Sequence, residues 1–566
     1  MRTLPKLMLL LGGVAGVALG LSVMWGAGGG GSVGAGGPGA TTSAGVPQGH
    51  VYTGAGDEPD DVNPLTTSLP VARRLVLFYT HETLLEVDPA SGELVPALAA
   101  SFERSADDMA CTFTLRAGVQ FADGSPLTLD DVLFGWQLHQ AGHLPMGTIA
   151  GAFTRLREVE RLDDHRFRVH FKEPHYAGLR VVGESWYVAS RKFFMDRIAA
   201  RCRPAPPPAI DSREFATLLD QIDRECGPGT GPYLLENDPD GVQRWRPRQD
   251  LVLVRNPHCW RRRVHPGTWN FDGFRILWRD QGAARHALLR GELDWFITFD
   301  LESLLAARPQ LADQYDTRHY DYEALGVYRV IWNCRRLADP RVRQALGMLF
   351  DCDGILRQFP DAGARAVAHC KPRSAAVPPE LVPLPFDPGR ARALLREAGF
   401  DPAAGTPLSL RVIANQGTDV LARIADLFQD AAATAGVRLE LLRRDAGAAR
   451  AEQQKGEWDG WLVLQSFKAW GDPFDLLHSA GQENHGKWQN ADADRLAAAA
   501  RTELDPGKRD GLWRELHTIA FGEQPAALLL HPQVALLLDR RIEDESIGRN
   551  GLVLERAFVA PDRQRR

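Results

Sequence analysis

The sequence predicts an α/β protein that is divided into two or more lobes. The chain has 566 residues, whereas a single hydrophobic core typically stops growing at roughly 250 to 300 residues. Stretches with the period of a strand alternate with stretches that have the spacing and caps of a helix. With 44% hydrophobic and 24% charged residues, the composition is that of an ordinary globular protein.

The clearest element pattern lies in CTFTLRAGVQFADGSPLTLDDVLFGWQL, residues 111–138. Its first part alternates apolar and polar side chains, which is the period of a half-buried strand. Asp123-Gly124 then predicts a turn. Thr128, with Asp131 three residues later, predicts the capped start of a helix.

Further along, the chain repeats these signals in order. Residues 227–260 predict a hairpin, because glycines allow a tight turn before two short apolar runs. Residues 272–296 and 328–356 each predict a strand and then a helix, the second helix starting at Asp339-Pro340. Residues 386–400 predict a helix that Asp387 caps. Strands are predicted at 461–464 and from 527, and the last is expected to rejoin the first lobe.

The N-terminus has the order of charge and hydrophobicity that predicts export. Arg2 and Lys6 precede an apolar run at 7–25, so residues 1–25 are either a cleaved signal or a retained membrane anchor. Residues 26–50 are rich in Gly, Ala, Ser, Thr and Pro and predict a flexible linker. The net charge of −6 gives no electrostatic reason to bind nucleic acid or an anionic membrane.

Seven cysteines cannot all pair within one chain. Cys202 and Cys226 flank a proline-rich stretch and form a plausible disulfide, although sequence alone does not establish the pairing. The chain contains no C-x-x-C pair, so a zinc knuckle is not expected. The basic run at 261–263 is expected to be solvated surface charge.

Three weaker patterns point to no catalytic or metal site. His139 and His143 have helical spacing, but Gly142 and Pro145 predict that the helix ends there, so we expect two surface histidines. The sequence GESWY at 183–187 lacks the second glycine of a hydrolase nucleophile elbow. Prolines interrupt the glycine-rich turn at 227–233, so a phosphate loop is not expected there. We therefore expect no cofactor.

Ordered motifs over residues 55–540 resemble the extracellular solute-binding proteins of family 5, which are the peptide-, oligopeptide- or nickel-binding components of ABC importers. The matching stretches are residues 96–103, 111–138, 227–260, 291–294 (GELD) and 341–346 (RVRQAL). The resemblance implies a two-lobed fold like that of periplasmic binding proteins, of type II or Venus-flytrap form, with an additional subdomain in the first lobe. The implied division is 51–81, 227–330 and 524–566 for the first lobe, 82–226 for the subdomain and 331–523 for the second lobe.

The same resemblance implies a non-catalytic protein that captures a peptide or peptide-like solute and delivers it to ABC permease subunits. The expected location is the periplasm or the outer face of the cytoplasmic membrane, and the expected state is a monomer. Three alternatives stay open: a sensor or receptor, an enzyme that reuses the fold, and a nickel or haem binder.

In peptide-binding relatives, an acid three residues before an Asp-Pro pair anchors the free amino group. Here Asp472-Pro473 places Ala469 at that position, so a free amine is not expected there. Lys468 faces either an anionic or carbonyl group of the solute, or solvent. Phe467, Trp470 and Trp488 either stack on the solute or belong to a core, and Asn333 either binds it or ties down a turn. The full set of predicted ligand-binding residues is Ser68, Asn333, Ser466, Phe467, Lys468, Trp470, Asp472 and Trp488.

Overall fold

The computed structural model describes residues 49–564 except for some short stretches. These are 57, 60, 68–75, 89–92, 145–152, 223–224, 236–245, 280, 299–300, 321–325, 361–362, 417–418, 466–471 and 549–550. The expectations for a signal or anchor at 1–25 and for most of the linker at 26–50 fall outside the described residues. Among the described residues, no helix has both the length and the apolar character needed to cross a bilayer.

The first part of the chain forms the N-terminal segments of the first lobe and the subdomain. Its strands are β1 Val51–Gly56, β2 Leu85–Val87, β3 Leu94–Pro96, β4 Ala99–Arg104, β5 Ala110–Leu115, β6 Leu156–Arg161 and β7 Arg166–Phe171. Its helices are α1 Phe78–Thr80, α2 Leu129–Ala141, α3 Gly178–Ser185, α4 Arg191–Cys202 and α5 Arg213–Asp220.

The chain then returns to the first lobe. This segment contains β8 Tyr233–Leu235, β9 Asp250–Arg255, α6 Trp260–Val264, β10 Gly273–Trp278, α7 Gln281–Leu289, β11 Trp295–Thr298, α8 Leu301–Ala307, α9 Leu311–Gln314 and β12 Tyr315–Tyr320.

The second lobe follows, and the C-terminal strands come after it. The second lobe contains β13 Val327–Trp332, α10 Pro340–Gly347, α11 Cys352–Gln358, β14 Ala364–Arg365, α12 Pro388–Glu397, β15 Ser409–Asn415, α13 Asp419–Ala435, β16 Arg438–Arg444, α14 Ala446–Lys455, β17 Gly460–Gln465, α15 Phe474–Leu477, α16 Ala491–Thr502, α17 Pro506–Glu523 and β18 Ala526–His531. The C-terminal strands are β19 Val534–Asp539, β20 Ile542–Glu543, β21 Ser546–Gly548, β22 Gly551–Val553 and β23 Phe558–Val559.

Local signals in the sequence form the elements that they predict. The backbone N–H and hydroxyl of Thr128 both donate to the Asp131 carboxylate at the start of α2. Asp339 and Asp387 cap α10 and α12, each of which has proline in its first turn. The predicted hairpin is also confirmed, since β8 pairs antiparallel with β9.

Three main sheets build the two lobes. The first lobe has a four-stranded sheet in the order β1-β10-β9-β8 and a three-stranded sheet in the order β11-β19-β12. These two sheets share one core, which includes Tyr52, Trp295 and Leu536. The second lobe has a six-stranded sheet in the order β14-β18-β13-β17-β15-β16. Helices cover both of its faces. Val330 and Ile331 are neighbours on β13 and point to opposite faces, and α13 packs in the hydrophobic core that contains Val330 whereas α14 packs in the core that contains Ile331.

The subdomain has its own four-stranded antiparallel sheet, in the order β4-β5-β7-β6. A buried ion-pair cluster joins it to the first lobe: Arg261 donates to Glu82 Oε1 at 2.5 Å and to Glu86 Oε2 at 2.8 Å. Arg261 is 2% exposed, so the expectation of solvated charge at this residue is wrong. It fails because the two carboxylates come from the subdomain, far away in sequence.

The disulfide that the sequence makes plausible between Cys202 and Cys226 is also wrong, because no bond joins their sulfur atoms in the structure. Cys226 is buried in the core of the first lobe, whereas Cys202 packs against the core of the subdomain. Their side chains therefore belong to two separate cores.

The chain passes twice between the lobes. The first crossing lies between β12 and β13, over 321–326, and the second lies between β18 and β19, over 532–533. β13 and β18 pair with each other in the sheet of the second lobe. The final strand predicted from 527 therefore belongs to the second lobe. The first crossing ends four residues before the predicted boundary at 330/331, and the second begins eight residues after the one at 523/524.

Candidate functional site

The strand directions indicate a candidate site at one edge of the six-stranded sheet. β15 runs parallel to β16 and β17, and β13 runs antiparallel to both β17 and β18. The carboxyl ends of β15 to β18 therefore lie at the same edge. In α/β sheets, ligands bind outside the carboxyl ends of the strands. Both crossings also meet this edge, because β13 starts there and β18 ends there.

Polar side chains along this edge bond to one another. The Trp461 indole N–H donates to Asn415 Oδ1, at the end of β15, over 2.8 Å. The His485 ring lies against the Trp461 ring, with 5.6 Å between their centroids. Arg450 Nη1, on α14, lies 3.3 Å from His485 Nε2. Burial, followed by the charge of Arg450, lowers the pKa of His485 to about 3, so this ring is neutral at physiological pH.

Arg329 lies close to the start of β13 at the same edge, and it is 2% exposed. Its Nη1 donates to His369 Nδ1 at 3.1 Å and its Nη2 donates to Gln465 Oε1 at 3.2 Å. Because a guanidinium only donates, His369 Nδ1 carries no proton. Gln465 Nε2 donates in turn to Glu483 Oε2 at 2.9 Å. Burial lowers the pKa of Arg329 to about 10, so the side chain stays charged at neutral pH.

A second contact region connects the subdomain to the second lobe through Tyr176. Its backbone N–H donates to the carbonyl of Arg501 on α16 at 3.1 Å. The Arg509 guanidinium, on α17, lies 4.3 Å from the centroid of the Tyr176 ring. Arg501 also forms an ion pair of 2.8 Å with Asp472, which closely follows β17. The subdomain and the second lobe therefore touch near Asp472.

The structure places three of the predicted site residues. Asn333 Nδ2 donates to the Trp458 carbonyl at 3.0 Å, which ties the end of β13 to the turn before β17. Both carboxylate oxygens of Asp472 have partners, Arg501 Nε and the backbone N–H of Phe474.

Trp488 is 2% exposed in a hydrophobic core of the second lobe, and its indole N–H donates to Glu523 Oε2 at 2.7 Å. The hydrogen bonds of these three side chains go to three separate sets of partners. The other predicted residues, Ser68, Ser466, Phe467, Lys468 and Trp470, lie outside the described residues.

Sequence reasoning missed Arg329, Gln465 and Tyr176. A signal for the first was present, because VYRVIW carries one charged residue in an otherwise apolar strand. Gln465 likewise ends an apolar strand run with a polar amide. Tyr176 had no comparable signal, since its partners come from helices far along the chain.

A family model described as bacterial extracellular solute-binding proteins, family 5 Middle, matches residues 93–488. The chain belongs to this family. The motif resemblance found in the sequence is thereby confirmed, and the chain is a solute-binding protein.

Curated relatives of this solute-binding protein differ in what their names say they bind. Di/tripeptide-binding protein 2 of Pseudomonas aeruginosa (strain UCBPP-PA14) is 28% identical over 490 residues, which cover 80% of this chain and 84% of the relative. Heme-binding protein A of Haemophilus influenzae is 23% identical over 476 residues, which cover 80% of this chain and 81% of the relative.

Solved structures show the same fold. The oligopeptide-binding protein AppA from Bacillus subtilis, in complex with a nonapeptide, has a TM-score of 0.73 and 19% identity. The match covers 90% of this chain and 99% of the AppA chain. NikZ from Campylobacter jejuni, in complex with Ni(L-His), has a TM-score of 0.71 and 19% identity, and the match covers 89% of this chain and 98% of the NikZ chain. The solute-binding protein thus has the two-lobed type II α/β fold that the sequence predicts.

Proposed function

We propose that this solute-binding protein captures a peptide or a small peptide-like solute between its lobes and delivers it, chemically unchanged, to the permease subunits of an ABC importer. The observation that carries the proposal is the shared edge of the second lobe, where the strand ends and both crossings meet. A solute held there contacts both lobes and favours the closed form. The names of several relatives, which include di/tripeptide- and dipeptide-binding proteins, support a peptide as the solute.

The contact between Tyr176 and the second lobe supports closure as the mechanism. It joins the subdomain to α16 and α17, and α16 holds Asp472 beside the segment that follows β17. Closing the lobes removes water from the solute, and this strengthens each polar contact in the cleft. We propose that residues 466–470 and Ser68 supply solute contacts, as the sequence predicts.

The proposed chemistry of the solute follows from Ala469. The acid that anchors a free amino group in the peptide-binding relatives is replaced here by a methyl side chain. Binding should therefore not depend on a free amine. We also propose that the protein works as a monomer on the outer side of the cytoplasmic membrane.

Two measurements on the full chain test the proposal. Native mass spectrometry of the purified protein should show a bound peptide or peptide-like solute, while bound haem or nickel would replace this proposal with the alternative solute. Thermal unfolding with mixtures of tripeptides, with free and with acetylated amino groups, should show stabilisation by both. Ligand at about 100 times its dissociation constant stabilises the folded state by roughly 2.7 kcal/mol. Stabilisation by free amines alone would contradict the role given to Ala469.

A control separates binding from catalysis. The protein is incubated with a panel of esters and amides, and the products are measured by mass spectrometry. We expect each compound to be recovered unchanged. Turnover activity that copurifies with the protein would identify an enzyme that reuses the fold.

A further inference from the structure

Arg329 is a buried cation without an ion-pair partner among the described residues. We propose that Arg329 binds a carboxylate of the solute, so that this protein selects peptides or peptide-like solutes that carry a free carboxylate. The inference rests on the proposed function and adds the chemical class of the group that is recognised. The observations behind it are the contacts of the Arg329 side chain with described residues.

The hydrogen bonds of Arg329 leave part of its donor capacity unused. A guanidinium has five N–H donors. One goes to His369 Nδ1 and one to Gln465 Oε1, and both acceptors are neutral groups. The Nε atom is buried and has no acceptor among the described residues. A buried charge that has only neutral partners is costly, and a carboxylate that accepts from the guanidinium offsets this cost.

The charges around Arg329 favour an anion. The negative charge of Glu483 raises the pKa of Arg329. The Glu483 carboxylate, however, also accepts a hydrogen bond from Gln465 and raises the pKa of Arg450. The single carboxylate of Glu483 is therefore shared between the guanidinium groups of Arg329 and Arg450.

Among the described residues, the other titratable groups near Arg329 do not add negative charge. Burial lowers the pKa of the three nearby histidines, His369, His485 and His531, so they are neutral at physiological pH. Lys487 adds a further positive charge near His485. The described residues around Arg329 therefore carry an excess of positive charge that a solute carboxylate would balance.

The position of Arg329 connects this charge to the solute. Arg329 is the third residue of β13, the strand that begins at the first crossing between the lobes. Gln465, its hydrogen-bond partner, is the last residue of β17 at the same carboxyl edge. Because the chain crosses between the lobes beside this edge, we expect movement of the lobes about the crossings to change what covers the edge and to bring Arg329 into contact with the solute.

The test compares two forms of one ligand mixture, namely N-acetylated tripeptides with a free C-terminal carboxylate and the same tripeptides as C-terminal amides. Binding is measured by isothermal titration calorimetry to the wild-type chain, to Arg329→Met and to Arg329→Lys. We expect the wild type to bind the acids roughly 30-fold more tightly than the amides, as for a charge pair removed from water. Arg329→Met should bind both forms equally, and Arg329→Lys should keep part of the preference.

The ligand-free melting temperature separates recognition from a structural role. If the carboxylate partner of Arg329 is supplied only by the solute, the substitution Arg329→Met removes an unpaired buried charge from the ligand-free protein. The variant should then melt at the same temperature as the wild type or above it. A lower melting temperature together with an unchanged preference for acids would overturn the proposal. Arg443→Met is the matched control, since Arg443 lies in the same sheet but is paired with Asp426 at the surface. It should change neither quantity.

The outcomes distinguish the two proposals. If the wild type binds acids and amides equally, the inference about Arg329 fails while the peptide-binding function stands. If neither mixture binds, the peptide-binding function itself fails. Should Arg329→Met not fold, the comparison on the wild type and on Arg329→Lys still decides.

Discussion

Glu555 provides a quantitative test of the buried charges that hold the subdomain to the first lobe. Its side chain is 5% exposed and lies within the electrostatic influence of Arg261 and Glu86. Burial raises the pKa of Glu555 from 4.5 to about 7, and Glu86 adds to this effect while Arg261 opposes it. We therefore predict that Glu555→Gln changes how stability depends on pH.

The sign follows from proton binding. The folded state binds the proton of Glu555 more tightly than the unfolded chain does, so this contribution to stability is complete below pH 4.5 and is lost as the pH rises toward 7. The difference between the two pKa values corresponds to about 3 kcal/mol. A glutamine at this position does not titrate, so the variant lacks this loss.

The assay is urea unfolding of the wild type and of Glu555→Gln at pH 5 and at pH 8. The free energy of unfolding of the variant, relative to the wild type, should increase by about 2 to 3 kcal/mol between these two pH values. Glu543→Gln is the matched control, because Glu543 forms an exposed pair with Arg563, and it should show almost no such change. An identical difference at both pH values for Glu555→Gln would refute the argument from burial.

Three further predictions concern packing, charge and closure. Gly54→Ala places a Cβ about 2.1 Å from the Trp295 indole and should lower the unfolding free energy by about 1 to 3 kcal/mol, whereas Gly511→Ala, in open space on α17, should raise it slightly in the same urea assay. Arg261→Ala leaves two buried carboxylates unpaired and should cost about 3 to 5 kcal/mol by urea unfolding; a cost below 1 kcal/mol would contradict the buried cluster. Tyr176→Ala should weaken solute binding about fivefold by calorimetry and increase the radius of gyration with solute bound, and unchanged values would exclude a role in closure.

Short-range features of the sequence predicted the elements well. The caps at Thr128, Asp339 and Asp387 involve partners only a few residues away, and each helix starts where its cap indicates. The order of the motifs then led from these elements to the two-lobed fold. Both steps depend on patterns that lie within short stretches of the chain.

Contacts between distant residues were harder to predict. Arg261 meets Glu82 and Glu86, which are 179 and 175 residues away, and nothing in its own basic run indicates this. The assignment of β18 failed similarly, because its partner strand β13 lies nearly two hundred residues earlier. For the site, the sequence indicated the chain that follows β17, and because residues 466–471 lie outside the described residues this stays a prediction. It did not indicate Arg329, whose proposed role depends on the neutral partners that surround it.

The strands on either side of the second crossing lie in the interior of both lobes. β18 has a neighbour on each side in the six-stranded sheet, and β19 lies between β11 and β12 in the three-stranded sheet. During synthesis, the ribosome makes both strands only after it has already joined more than five hundred residues. Neither lobe can complete its sheet before these strands are made, so both sheets stay open while the preceding chain emerges from the ribosome.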